Sequence, residues 1–480
     1  MEYKHSHVIN IVEHTSKFLI LLLLPAIRAL FFTNVGFYAW LQGAWIDILT
    51  ILFIIGAGLI AWYRYTYCFS KDGIYLKKGI FIVKERFIPY HKLSVVSIQF
   101  PFYLIPLKAV KLSADTDGGL PTTADFRVII YKKQLDKIIG KVKKPFINPG
   151  EIKRVYLPKN IYIAILSFVV SNTLTGVLFV STFISGLGKT LGKEYENQVV
   201  EHLTTLAQVF AFGIPPAAAI IAYVLLGGWG VSFLLNLIRN FRFSATRQGG
   251  SLEIQRGIIT RRQYLITVKR INLVELRQTL LTKWFGVYTA LIHSNGYGKG
   301  KDELSILMPA AEKHNLQKNI RLLLPEIPLC KPTLKSELKF LSRFLIPPIW
   351  WVIGATAFWL IGYWLFPHYS EMITFIGIMA EIPCWWYLFV KITSYFHTGI
   401  GLVDEVYTFN YTYGYRIKTI AVPIRRITKV TMRRSAFQLM SGCCDVIVYT
   451  YSEGKKRHVI PNLEFEKAKK MMDVLNCYEK

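Results

Sequence analysis

Three basic residues recur at equivalent sequence positions and are the first candidates for chemistry. Lys92, Arg270 and Arg426 each precede a branched aliphatic residue in segments that align without gaps: FIPYHKLSVVSI at 87–98, LITVKRINLVEL at 265–276 and AVPIRRITKVTM at 421–432. A lysine or arginine in such a position can form charge-assisted hydrogen bonds to a phosphate or a carboxylate. The alternative is a solvated strand end or an internal ion pair, which contributes little to stability.

Further cations surround two of these positions. The residues predicted to bind lipid or a partner are Lys92, Arg256, Arg261, Arg262, Lys269, Arg270, Arg425 and Arg426. Most of them belong to the second copy, where a short strand-rich stretch is predicted. Neighbouring side chains of a strand point to opposite faces, so only part of this cluster can meet one surface. The pattern therefore fits either anionic lipid or a partner protein.

No arrangement of residues in the sequence indicates a reaction. The ten histidines are scattered, and HExxH, GxSxG and paired-carboxylate patterns are missing from the sequence. The stretch GLGKT at 186–190 resembles the end of a phosphate-binding loop, but Phe183 stands where its first glycine is required. The glycines at 296–300 fit a hairpin turn better than a phosphate cradle. We therefore predict a non-enzymatic protein with no cofactor.

Arg28 and Glu381 are ionisable residues near the centres of predicted membrane spans. A lone charge there costs at least about 3 kcal/mol and tends to face a partner or water. The two residues could pair across the first and third hairpins. The alternatives are that Arg28 extends its side chain to the interface and that Glu381 is protonated or meets a local helix break before Pro383.

The composition favours a membrane protein. Hydrophobic residues make up 52% of the 480 residues, concentrated in long runs, and the mean hydropathy is +0.33. The net charge of +28 would suggest nucleic acid for a soluble protein, but dispersed cations near the membrane favour an anionic lipid surface instead. The six cysteines form no CxxC pair, so we predict reduced thiols and no metal site.

Six apolar runs predict six transmembrane helices, since about 20 mostly apolar residues cross the hydrocarbon. The runs are Phe18 to Phe32, Ile46 to Trp62, Ile161 to Leu187, Val209 to Leu237, Phe344 to Phe366 and Met372 to Val390. Short links and long segments alternate between them, which groups the runs as three hairpins. Lys and Arg are sparse in the short links, so both termini and the long segments are expected in the cytoplasm.

Each long segment combines strand-like and helical patterns. Alternating runs rich in β-branched or aromatic residues, such as 79–88, 251–260 and 415–422, predict strands. Aliphatic residues at spacings of three and four then predict a closing helix at 134–142, 311–324 and 465–475. The self-similarity predicts one α+β module repeated three times.

The order of hairpin, Gly-Ile strand and Ile-Pro-x-x-Lys/Arg-Leu/Ile motif resembles the bacterial membrane-anchored PH-like domains of the YdbT type. The Gly-Ile motif occurs at Lys78-Gly79-Ile80 and Arg256-Gly257-Ile258, whereas the third copy has Gly399-Ile400-Gly401 before a tyrosine-rich stretch. The resemblance implies a PH-like barrel or curved antiparallel sheet with a C-terminal helix, in a bacterial plasma membrane. It also implies a smaller membrane protein with a single PH-like domain as partner, and no enzymatic activity.

The predicted fold class is therefore a multi-pass α-helical membrane protein with three α+β PH-like domains. Its predicted parts are hairpins at 1–62, 161–237 and 344–390 and PH-like domains at 63–160, 238–343 and 391–480. The leading functional hypothesis is a scaffold or adaptor that presents these domains to a protein partner and to membrane lipids. The rival is a lipid or small-molecule transporter with a path between the hairpins. Nucleic acid is not expected as a partner, and the oligomeric state is left open.

Overall fold

The protein is described by a computed structural model that covers residues 3–12, 15, 37–79, 82–116, 124–143, 151–171, 198, 201, 216–294, 305–451 and 455–476. Within these residues the chain forms three consecutive repeats, each with seven strands. Every repeat ends in an amphipathic helix. The predicted strand-to-helix order within each soluble segment is therefore seen in the structure.

The strands of the three repeats follow the same order. In the first repeat they are β1 (Lys4–His5), β2 (Thr66–Phe69), β3 (Gly73–Lys78), β4 (Lys84–Pro89), β5 (Leu93–Phe100), β6 (Ala109–Thr116) and β7 (Phe126–Tyr131). In the second they are β8 (Arg154–Tyr156), β9 (Ser244–Gln248), β10 (Ser251–Arg256), β11 (Arg261–Thr267), β12 (Ile271–Gln278), β13 (Val287–Ser294) and β14 (Ile306–Glu312). In the third they are β15 (Leu334–Lys335), β16 (Gly399–Val403), β17 (Val406–Tyr413), β18 (Arg416–Pro423), β19 (Ile427–Arg433), β20 (Cys443–Tyr451) and β21 (Lys455–Glu464).

The helices fall into three kinds: long apolar helices, short helices inside a repeat, and closing helices. The long or apolar ones are α1 (Phe37–Tyr63), α3 (Asn160–Val170), α4 (Pro216–Asn240), α7 (Leu341–Leu365) and α8 (Ser370–His397). The short ones are α5 (Leu280–Trp284) and α9 (Ala436–Ser441). The closing ones are α2 (Lys132–Lys143), α6 (Lys313–Leu323) and α10 (Phe465–Asn476).

Each repeat buries its core between two half-sheets. The first half-sheet consists of the first four strands of the repeat, and the second half-sheet consists of the last three. In the first repeat, Ile74 and Ile88 of the first half pack in one cluster with Ile98 of the second half. Leu135 and Ile138 of α2 close this core. The spacing of apolar residues in α2 places them on one face of the helix, which is why the helix can cover the open end of the sandwich.

The half-sheets of neighbouring repeats join into continuous sheets. The four sheets have the strand orders β1-β2-β3-β4, β7-β6-β5-β11-β10-β9-β8, β14-β13-β12-β18-β17-β16-β15 and β19-β20-β21. The second half-sheet of one repeat therefore continues into the first half-sheet of the next. The repeats form a row joined by backbone hydrogen bonds.

The glycines of the predicted Gly-Ile strands do not lie in strands: Gly79 directly follows β3 and Gly257 directly follows β10, where the chain turns towards the next strand. Gly79 and Gly257 have φ angles of 139° and 96°. A Cβ atom would lie 1.9 Å from the Ile82 carbonyl oxygen in the first repeat and 2.4 Å from the Thr260 carbonyl oxygen in the second. Only glycine fits such a turn without moving the backbone.

The predicted class of a multi-pass α-helical membrane protein with six spans is wrong. The described residues form four β-sheets that build the repeats, and only two helices among them, Leu338–Leu365 and Pro367–His397, are long and apolar enough to cross a membrane. They contain α7 and α8, which pack against each other as one hairpin. The part of the chain that the structure describes is thus a row of β-sandwich repeats in which α7 and α8 form an apolar helical hairpin long enough to span a membrane.

Hydropathy failed here because an apolar helix can face a protein core as well as lipid. Ile163 and Leu166 of α3 are 1% and 2% exposed and belong to the core of the second repeat. Of α1, which covers the second predicted run, only the part Leu49–Tyr63 counts as an apolar helix, and that part is shorter than a span. The predicted run at 18–32 and residues 172–197 of the second hairpin lie outside the described residues.

Candidate functional site at the joints between repeats

Two antiparallel strand pairings connect the repeats, and we call them the first and the second joint. In the first joint β5 pairs with β11, and Val96 lies opposite Leu265. In the second joint β12 pairs with β18, and Val274 lies opposite Ala421. The ungapped alignment of the repeats puts these two residue pairs at the same positions. Both joints therefore use one register.

A 3-10 turn carries the recurrent cation in every repeat. The turns are Tyr90–Lys92, Val268–Arg270 and Ile424–Arg426, and each connects the two half-sheets. The first residue of each turn is buried, with 2%, 8% and 8% exposure. This anchor fixes the turn and leaves the following basic side chains at or near the surface.

The first joint brings two of the predicted cations into one cleft of about 570 Å³, which we call the joint cleft. Lys92 comes from the turn of the first repeat and Arg270 from the turn of the second. The cleft is lined by Arg86, Phe87, Ile88, Pro89, Lys92, Thr116, Asp125 and Arg270. Three cations and one carboxylate give it an excess of positive charge, which favours an anionic ligand such as a phosphate.

The carboxylate of the joint cleft is already engaged. Asp125 Oδ2 accepts hydrogen bonds from the Thr116 backbone nitrogen at 2.9 Å and from Thr116 Oγ1 at 2.7 Å. Arg86, Thr116 and Asp125 were missed by the sequence analysis, because they lie on β4, on β6 and just before β7, which only the fold brings together. The one available signal was that Arg86 directly precedes the aligned segment.

The third recurrent cation lies at the second joint. Arg426 Nη2 donates a hydrogen bond to the Lys269 carbonyl oxygen at 2.7 Å. The turn of the third repeat is thus tied to the turn of the second. Lys269 itself is exposed, and Arg425 has a side chain that is 86% exposed and lies 3.8 Å from Glu405.

The remaining predicted cations lie on β10 and β11, away from the joint cleft. Arg256 is only 4% exposed, and its Nη1 donates to Asn240 Oδ1 at 3.4 Å. Arg261 is exposed and donates to Gln255 Oε1 at 2.7 Å, while Arg262 is half-buried. Among the cations of the second repeat, Arg261 and Lys269 are therefore exposed to a ligand, whereas Arg256 is not.

A buried carboxylate organises the second joint. Glu275 Oε1 lies 3.0 Å from both Arg277 Nη2 and Lys418 Nζ, and Glu275 Oε2 lies 2.9 Å from His293 Nε2. Burial by itself would raise the pKa of Glu275. The hydrogen bond with His293 and the charges of Arg277 and Lys418 outweigh burial and hold this pKa well below its ordinary value.

The helical hairpin holds the predicted intramembrane carboxylate. Glu381 Oε1 accepts a hydrogen bond from Thr356 Oγ1 at 2.5 Å, so its partner lies in the neighbouring helix of the same hairpin. A cavity of about 500 Å³ beside it is lined by aromatic residues that include Trp359 and Trp385. Arg28 lies outside the described residues.

Within the part of the chain that the structure describes, no group of three or more His, Cys, Asp or Glu residues could hold a metal ion. The described cysteines are free thiols: Cys68, Cys330, Cys384, Cys443 and Cys444. Burial raises the pKa of the Cys444 thiol to about 12, so this thiol stays protonated near neutral pH.

One curated relative and one protein family match the chain, and no solved structure does. The relative is the UPF0699 transmembrane protein YdbT of Bacillus subtilis (strain 168), which is 24% identical over 322 residues. The match covers 62% of this chain and 64% of the relative, which is less than two thirds of the relative's length. The family, described as the bacterial PH domain, matches residues 19–148, 202–323 and 351–477. With one match in each repeat, the chain belongs to the bacterial PH domain family.

Proposed function

We propose that this protein is a non-enzymatic membrane scaffold, whose row of PH-like repeats presents basic clefts and strand edges to a protein partner and to anionic lipid head groups. The observation that carries this proposal is the pair of joints with one common register. Backbone pairing across repeats makes the row a rigid unit, which is what a scaffold needs to hold partners at fixed positions. The partner we propose is a smaller membrane protein with a single PH-like domain.

The joint cleft supports an anionic ligand. Arg86, Lys92 and Arg270 converge there from two repeats, whereas its one carboxylate is held by Thr116. Each cation near an anionic surface contributes about 1 kcal/mol, and the contribution decreases as salt shortens the Debye length. A phosphate of a lipid head group or a carboxylate of the partner has the required charge.

The helical hairpin supports a membrane location for the row. Trp284 of α5 packs edge to face on Trp386 of α8, with ring centroids 5.7 Å apart. This contact fixes the second repeat beside the hairpin. We propose that the hairpin anchors the repeats at the cytoplasmic face of a bacterial plasma membrane, because exposed cations of the repeats would then meet anionic lipid.

Crosslinking in native membranes tests the scaffold proposal. The full-length chain with Lys92→Glu and Arg270→Glu should lose most of the protein crosslinks that the unaltered chain forms, as measured by mass spectrometry. The matched control reverses two exposed lysines of α10, Lys469 and Lys470, and should retain these crosslinks. Equal crosslinking by both variants would show that the joint cleft is not a partner site.

A second measurement distinguishes binding of lipid head groups from binding of a protein partner. The full-length chain is placed in nanodiscs of phosphatidylcholine with or without phosphatidylglycerol, and amide hydrogen exchange is followed at Val268–Arg270. We call the chain with Lys92→Glu and Arg270→Glu the cleft variant. Head-group binding would be supported if exchange is slower with the anionic lipid and if this difference disappears at high salt and in the cleft variant. Identical exchange in both lipids would exclude head-group binding and would leave a protein partner as the only proposed ligand of the joint cleft.

A further inference from the structure

The outer edge of β4 is unpaired among the described residues, whereas the equivalent strands of the other two repeats are paired on both edges. β4 is the last strand of its sheet, and among the described residues no strand pairs with its outer edge. In the alignment of the repeats, β4 corresponds to β11 and β18. Both of those strands are covered at the joints by a strand of the preceding repeat.

A single aligned position shows how much apolar surface this open edge exposes. Leu265 of β11 and Ala421 of β18 are 5% and 0% exposed, because each packs against the preceding repeat. Phe87 occupies the same position in β4 and is 46% exposed. Ile82 and Val83, just before β4, are 75% and 42% exposed. The outer edge of β4 therefore exposes apolar side chains at a position that is buried in both joints.

The charges on β4 define what would fit there. Lys84 aligns with Lys418, which is neutralised at the second joint by Glu275 of the preceding repeat at 3.0 Å. In the common register, the residue equivalent to Glu275 would lie directly opposite Arg86. A carboxylate at this position would face Arg86 and lie near Lys84. The missing strand should therefore be apolar with one acidic residue.

The opposite end of the row does not provide that strand. β19 is the open counterpart of β5 and β12. Lys429, which is exposed, replaces the residues that are buried in the joints, Val95 and Leu273. Thr431 replaces Glu275. An exposed lysine on an edge strand disfavours strand pairing, so a second copy of this chain is a poor occupant of β4.

We infer that the outer edge of β4 is a docking site for an antiparallel strand of another protein, with two adjacent apolar residues followed by an acidic one. The strand would extend the first sheet by backbone hydrogen bonds, a common mode of peptide recognition. This inference rests on the proposed scaffold function and names the surface that receives the partner. It predicts that β4 accepts a strand and that β19 does not.

A peptide with the sequence of β12, INLVELRQ, serves as the probe, because β12 fills the equivalent place at the second joint. Its binding to the full-length chain in detergent is measured by fluorescence anisotropy. A photoreactive residue at the Val274 position should crosslink to β4 near Phe87, as mapped by mass spectrometry. Replacing the glutamate of the peptide by glutamine should weaken binding roughly tenfold, since one charge-assisted contact is lost.

Two variants and one peptide provide the controls. Arg86→Glu and Phe87→Glu should each weaken binding of the β12 peptide, while Arg433→Glu on β19 should leave it unchanged. A peptide with the β19 sequence, ITKVTMR, should not bind. Equal binding of both peptides, or crosslinks confined to other strands, would overturn the inference. Native crosslinks lost from the cleft variant would then still support the scaffold, so the two proposals fail separately.

Discussion

Glu275 determines much of the stability of the second joint. Glu275 is 4% exposed, and its carboxylate contacts cations from two repeats, Arg277 and Lys418. A carboxylate held in this way stabilises the folded state only while it is ionised. Neither its partners nor its burial could be predicted from sequence, because Lys418 lies far along the chain and only the joint places it beside Glu275.

Glu275→Gln is expected to destabilise the protein by roughly 3 kcal/mol, because it leaves two partly buried cations without their anion. The midpoint of thermal unfolding, followed by circular dichroism of the full-length chain, measures this change. The exposed Glu405→Gln is the matched control. Its ion pair with Arg425 is solvated, so it should change stability by less than about 1 kcal/mol.

The same residue gives a pH dependence with a defined sign. The pKa of Glu275 is lowered on folding from its ordinary value of 4.5, so its stabilisation is fully present above that pH and is lost as the pH falls below it. The unfolding midpoint of the unaltered chain should decrease more steeply at acidic pH than that of Glu275→Gln. Parallel pH profiles would contradict an ionised Glu275 in the folded protein.

At the scale of elements, the aligned segments predicted strands in each repeat, which the structure has, but not the 3-10 turn that carries the recurrent cation. They could not predict that half-sheets pair across repeats, because the alternation of a strand shows which face is buried but not which strand lies beside it. The joint cleft was therefore only half predicted: Lys92 and Arg270 were identified, whereas Arg86 and Asp125 were not. Hydropathy likewise could not separate a lipid-facing helix from α3, which packs on a β-sandwich core.

Leu265→Ala tests how strongly the first joint couples two repeats. Leu265 packs within the core cluster of the first repeat, so its truncation should cost about 2–5 kcal/mol of unfolding free energy. Phe87→Ala changes the aligned position on the open edge of β4 and should cost much less, since Phe87 is 46% exposed. Chemical denaturation of both variants measures the difference. Similar costs would show that the joint does not bury Leu265 in solution.

At the scale of the whole molecule, the second joint constrains how the helical hairpin enters a membrane. β12 precedes the hairpin and β18 follows it, yet the two strands pair in one sheet. We therefore expect both ends of the hairpin to lie on the same side of the membrane. α7 has 25 residues, and at 1.5 Å per residue this is about 38 Å, enough to cross a hydrocarbon core of about 30 Å.

The charges that flank the hairpin predict which side the repeats occupy. Lys339, Arg343 and Lys391 lie towards the repeats, whereas the link Pro367–Tyr369 contains neither Lys nor Arg. Basic residues near span ends remain in the cytoplasm, so the link should face outward. In a chain with Cys330, Cys384 and Cys477 replaced by serine, His368→Cys should react with a membrane-impermeant maleimide in intact cells. Lys469→Cys on α10 should react only after the cells are permeabilised, because its repeat would lie inside. The reverse labelling pattern would place the repeats outside the cell and remove the cytoplasmic leaflet as their lipid surface.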